Sequence, residues 1–126
     1  MYKKLFCALA VFGLITVLFC ACAIRDTGGA SCPCVHMGGA DFIQHSITIQ
    51  KGQSILLIDD AASPHTIVNG SWVNGTQKPS KEPGAPTVNV QFVGNDQAPI
   101  GPFNNAGTFH VYCTIHLGMN LTITVQ

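Results

Sequence analysis

Residues 112 to 119, YCTIHLGM, bring a cysteine, a histidine and a methionine together at intervals of three, as Cys113, His116 and Met119. A thiolate, an imidazole and a thioether in one short loop suit few metals. Soft sulfur donors favour Cu(I) while imidazole also accepts Cu(II), so copper is the metal that satisfies the whole set. A fourth donor is then expected upstream, and ASPHTIV offers His65 at the start of an apolar run, with Pro64 stiffening the approach. Singly, each residue has a plainer reading: a strand-edge histidine satisfied by water, a surface histidine, a methionine filling the core. Jointly, with a free cysteine between them, they point to one bound copper ion.

The elements around these residues decide whether they can meet. TFHVYC alternates, placing Phe109, Val111 and Cys113 on one inward face, and MNLTITV puts Met119, Leu121, Ile123 and Val125 on another. The turn between the two strands therefore hangs both sulfurs toward one interior point, with His116 halfway and Gly118 supplying backbone freedom for a tight return. Upstream, HSITIQ and SILLIDD are predicted strands joined at Lys51 and Gly52 as a hairpin. HTIV (65–68) and TVNVQFV, with Val88, Val90 and Phe92 inward, are two more, and Asn69 to Pro86 is predicted as loop from its prolines and glycines. No helical period follows residue 24. The expected fold is all-β, a Greek-key β-sandwich or barrel of about seven or eight strands.

Two histidines, a cysteine and a weak methionine are the donor set of blue-copper electron-transfer sites. GTFHVYCTIHLGMNLTITV, preceded by SPHTIV and ITIQKGQSI, resembles the cupredoxins, the small type-1 copper proteins that include plastocyanin, pseudoazurin and amicyanin. The likeness runs over roughly residues 34 to 126, and the CxxHxxM spacing is similar to the amicyanin loop. It implies His65, Cys113 and His116 as equatorial ligands and Met119 as the axial one. It also implies His116 as the electron port, Cys113 as a second route, and Leu117 in an apolar docking patch. Thr66 stands where plastocyanin and amicyanin carry an asparagine that braces the ligand loop. The implied activity is transfer of single electrons, not catalysis. One cysteine in the loop excludes a dinuclear oxidase-type centre, and Tyr112 and Thr114 flank that cysteine where multicopper oxidases and nitrite reductases need histidines. The rival readings are a copper-trafficking or storage protein and a metal-free structural β-sandwich.

With 126 residues, 47% apolar and 10% charged, the chain has room for one globular domain after a leader. Residues 5 to 24 carry no charge and follow Lys3 and Lys4, so residues 1–24 read as a signal peptide, a lipoprotein signal with Cys22 as the lipidated residue, or an uncleaved membrane anchor. Each sends the rest of the chain out of the cytoplasm, tethered to the outer face of the membrane or released as a secreted or periplasmic protein. Residues 25–40 form a glycine-rich tether with a first short strand at CVHM, and residues 41–126 the cupredoxin-like domain. Residues 25–126 carry four cationic and six anionic side chains with no basic stripe, which excludes nucleic acid as a partner. The expected partners are a redox donor and acceptor, such as a cytochrome or a membrane oxidoreductase, with no small-molecule substrate.

Six cysteines in an exported chain would be expected to pair, yet Cys113 has no unique partner because Cys32 and Cys34 compete for it. CPCVHM (32–37) has three readings: a soft Cu(I) site, a disulfide across one proline, or linker thiols. His110 takes the outward phase of its strand, and Trp72 is expected to pack. The copper reading demands that the His65 imidazole lie within about 6 Å of the Cys113 sulfur.

Overall fold

The computed structural model describes residues 33–126, and the leader with Cys7, Cys20 and Cys22 lies outside them, as does Cys32. Among the described residues there are nine strands and no helix. They are β1 (Cys34–Met37), β2 (Ser46–Ile49), β3 (Ile55–Asp59), β4 (His65–Val73), β5 (Thr76–Pro79), β6 (Asn89–Phe92), β7 (Gln97–Ile100), β8 (Gly107–Cys113) and β9 (Asn120–Val125). They form two sheets, β1-β3-β7 and β2-β9-β8-β4-β5, with β6 also paired to β4. The all-β sandwich expected from the alternating pattern is the fold.

Alternation explains the core. Phe109, Val111 and Cys113 of β8 and Leu121, Ile123 and Val125 of β9 are all buried, opposite Val35, Met37, Ile55 and Leu57 of the smaller sheet. Each such large apolar side chain stabilises the fold by about 1.5–3 kcal/mol on leaving water.

Two expectations are corrected. The segments HSITIQ and SILLIDD do not make a hairpin: β2 pairs in parallel with β9, whereas β3 pairs with β1 and β7 in the other sheet. The chain crosses between layers at Lys51 and Gly52, whose amides bond to Gln126 and Phe103 rather than to a neighbouring hairpin strand. The 69–86 segment is not all loop. β4 continues through Val73, turns at Asn74 and Gly75, both with positive φ, and returns as β5 in register Trp72↔Gln77. Asn-Gly in this conformation makes the tight turn whose twist matches paired strands.

Candidate metal centre

β4 and β8 are antiparallel neighbours, with Ile67 opposite Cys113. The start of one therefore lies beside the end of the other, which brings His65 to the rim where β8 delivers Cys113. Thr114 N–H donates to the Thr66 carbonyl at 2.9 Å and extends this pairing by one step. The six residues from Thr114 to Met119 then return the chain into β9. Cys113 N–H donates to the Met119 carbonyl at 3.0 Å, so the two sulfur-bearing residues close the loop at its base. Gly118 sits at φ +79° with open space around it, so conformation, not crowding, calls for glycine there.

His65 Nδ1 lies 3.7 Å from Cys113 Sγ, and His116 Nδ1 lies 3.6 Å from the same sulfur. The two imidazole centroids are 4.8 Å apart. A fit to a metal can be worked out from bond lengths. Thiolate and imidazole bonds of about 2.3 and 2.0 Å, spread evenly in a trigonal plane, set nitrogen and sulfur about 3.7 Å apart. The observed spacing is that of donors ready for one shared ion, and the donor chemistry, two imidazoles and a thiol, suits copper. Cys113 and His65 are fully buried, while His116 is half-buried. Ile115 N–H points at Sγ at 3.4 Å. Met119 is fully buried at the base of the same loop.

The other nitrogen of each ring is also placed. His65 Nε2 donates to the Gly38 carbonyl at 3.0 Å, which leaves Nδ1 as the free electron pair aimed at the sulfur. Burial holds the His65 pKa below its ordinary value, opposed by the Asp59 carboxylate and the Gly38 carbonyl and reinforced by His116. A neutral imidazole is the form a metal needs. His116 Nε2 is 3.4 Å from Ser63 Oγ.

The outer side of the ligand loop is gripped by a device that the residue pattern was not read to contain. Trp72 Nε1–H donates to the Cys113 carbonyl at 2.7 Å, and Gln77 Nε2 donates to the Thr114 carbonyl at 3.2 Å. Asn120 fixes the Trp72 backbone from both sides, accepting its N–H at 2.7 Å and donating to its carbonyl at 3.1 Å. Tyr112, on the outward phase of β8, is nonetheless buried, because Trp72 meets it edge-on and Gln77 accepts its hydroxyl proton at 3.2 Å. Trp72 thus packs as expected and also holds the cysteine's backbone. The signal was Asn74-Gly75, which marks the hairpin carrying both Trp72 and Gln77.

The remaining donors stand apart. Cys34 is exposed on one face of β1 and Met37 is buried on the other, and His36 binds Asp60 at 2.6 Å; Cys32 lies outside the described residues. His110 lies on the outer face of β8 as expected, half-covered and hydrogen-bonded to Glu82 at 2.6 Å.

The fold and this rim define a class. Residues 34–126 match the family described as copper binding proteins of the plastocyanin/azurin family. A plastocyanin from Ulva prolifera is 32% identical over 98 residues, covering 73% of this chain and 97% of the relative. Amicyanin from Paracoccus versutus superposes with a TM-score of 0.59 at 18% identity, over 77% of this chain and 83% of amicyanin. A purple cupredoxin from Nitrosopumilus maritimus gives 0.55 at 18% identity, over 75% and 99%. The chain belongs to the plastocyanin/azurin family of copper binding proteins and is a cupredoxin. Copper-based electron transfer is the general activity of that family, and His65, Cys113 and His116 form the candidate copper site.

Proposed function

We propose that this chain carries single electrons between redox proteins outside the cytoplasm, using one type-1 copper ion that His65 Nδ1, Cys113 Sγ and His116 Nδ1 would hold, with the Met119 thioether as a weaker fourth donor. The observation that carries this reading is the convergence of two Nδ1 atoms on one buried sulfur at 3.7 and 3.6 Å. Copper bound there supplies a one-electron couple between Cu(I) and Cu(II). The chain's contribution is to hold its donors where both oxidation states accept them. Buried Cys113 and His65 exclude water, the Gly38 carbonyl fixes the His65 ring, and Trp72 and Asn120 keep the loop from following each change of charge. His116 is the donor nearest solvent, and Leu117 and Ile115 beside it are 72% and 50% exposed. An apolar skirt around a half-buried imidazole suits brief docking of a redox partner, such as a cytochrome or membrane oxidoreductase.

Export rests on the leader. Residues 1–24 are read as a signal peptide, a lipoprotein signal with Cys22 as the lipid site, or an anchor. The stretch 25–40 starts as a tether and ends in β1, which already packs into the sandwich, and residues 41–126 are the rest of the domain. Among the described residues no helix is long and apolar enough to cross a membrane.

The test is an absorption spectrum of the full chain loaded with Cu(II). An intense visible thiolate-to-copper band, at one copper per chain and abolished by Cys113→Ser, is expected. A colourless protein refutes the copper site. A coloured protein that loses copper on each reduction is a carrier of metal, and the electron-transfer reading then fails.

A further inference from the structure

On its inner face β3 carries Ile55, Leu57 and then Asp59, so the alternation that builds the core also drives a carboxylate into it. Asp59 is 2% exposed and, with His65, is one of the two buried polar residues among those described. Its Oδ1 accepts the Ala61 N–H at 3.1 Å and lies 3.7 Å from His65 Nε2. Its Oδ2 is buried with no hydrogen-bond partner. Among the described residues no lysine or arginine forms an ion pair with it, and the His65 imidazole is the ring within reach. Asp96 stands behind: its carbonyl accepts the Asp59 N–H at 2.8 Å, and its own Oδ1 is likewise buried and unpartnered.

A buried carboxylate with one oxygen unsatisfied is unfavourable unless positive charge lies nearby. The fold provides none from side chains at this rim. It does place the far nitrogen of the same imidazole against Cys113 Sγ, where the metal would bind. We propose that Asp59 is a positioning residue that acts through His65 to favour Cu(II) over Cu(I) and so lowers the reduction potential of the site. This rests on the copper reading given above.

At 3.7 Å the carboxylate is beyond hydrogen-bond length, and the His65 N–H is already given to Gly38. Asp59 therefore works by charge. With one thiolate, the site carries one net positive charge when oxidised and none when reduced. The attraction of a fixed anion is present in the first state and absent in the second, so the electron is harder to add. Where a carboxylate accepts the N–H of a metal-bound imidazole, losing it costs roughly 10- to 100-fold in metal affinity, and a buried charge one step farther off acts in the same direction.

Asp59→Asn separates charge from shape, because the amide oxygen still accepts from Ala61. In the full chain, Cu(II) affinity is expected to fall at least tenfold relative to Cu(I), which for a one-electron couple raises the potential by about 59 mV or more. The copper-free variant is expected to match or exceed the wild type in urea resistance, since an uncompensated buried charge is gone. A purely structural Asp59 gives the reverse pattern: a less stable copper-free protein with an unchanged potential, and that result overturns the proposal. If Asp59→Asn fails to fold, Asp59→Ser, neutral and still able to accept from Ala61, takes the same two measurements. A wild type with no thiolate-to-copper band defeats the copper reading itself, whereas a coloured wild type with an unshifted variant defeats only this inference.

Discussion

Replacing Trp72 by phenylalanine removes one hydrogen bond and little else. The indole N–H reaches the Cys113 carbonyl at 2.7 Å, a short bond in a half-buried setting. Its net worth is about 1 kcal/mol, rising toward 3 kcal/mol where the carbonyl is left without a replacement partner. The edge-on contact with Tyr112, with centroids 6.1 Å apart at 83°, survives in phenylalanine, so the roughly 0.5–1.5 kcal/mol typical of such pairs is largely kept. A loss of about 2 kcal/mol is expected. For a domain of this size that corresponds to a fall in Tm of roughly 10 °C. Urea denaturation of the copper-free chain measures it, with the slope of the transition checked for constancy so that the change belongs to the native state. Gln77→Ala is the companion, because it frees the Thr114 carbonyl and the Tyr112 hydroxyl on the same face. A Trp72→Phe protein within about 0.5 kcal/mol of wild type would refute the reasoning, since the hairpin would then cover the ligand loop without holding it.

Two further outcomes test the metal centre. His116→Gly is expected to bind copper in the coloured form only when free imidazole or another small ligand fills the gap beside Ser63, and its electron exchange with a partner should fall; unchanged exchange removes His116 as the port. Met119→Leu conserves volume, so copper-free stability should change by less than about 1.5 kcal/mol. Loss of the thioether withdraws a donor from Cu(II), and the reduction potential should rise; spectroelectrochemical titration detects the shift, and an unchanged potential denies Met119 its axial role.

The rim residues were legible because each rests on local alternation. Phase alone put Cys113 inward with Phe109 and Val111, and Met119 inward with Leu121. Pairing between distant strands is not carried by phase. β2 and β3 look like a hairpin because each is a short apolar strand beside a Lys-Gly turn, yet a sandwich can send such a turn from one layer to the other, and the parallel partner of β2 lies at the end of the chain. Composition hid β5, since three prolines and three glycines between residues 69 and 86 outweighed one Asn-Gly pair. Asp59 was hidden differently. SILLIDD reads as a continuous buried run ending in two acids, but its burial alternates, and that alternation makes Asp59 the inward acid and Asp60 the outward one that meets His36.

The division of labour between the sheets explains how so small a domain can keep a copper site in shape. His65, Cys113 and His116 come from β4, β8 and the turn after it, all in the larger sheet. Their backing comes from the smaller sheet: Gly38 follows β1 and accepts the His65 N–H, and Asp59 ends β3 behind the same ring. These two strands are paired in parallel, with Met37 opposite Asp59, so the carbonyl and the carboxylate arrive side by side at the same end. An imidazole clamped between layers is held in one orientation, whereas His116, on a turn and only half-buried, is the more accessible ring. Rigidity at His65 and access at His116 are thus consequences of one topology. A substitution that loosens the contact between sheets near Met37 should disturb the first without altering the second.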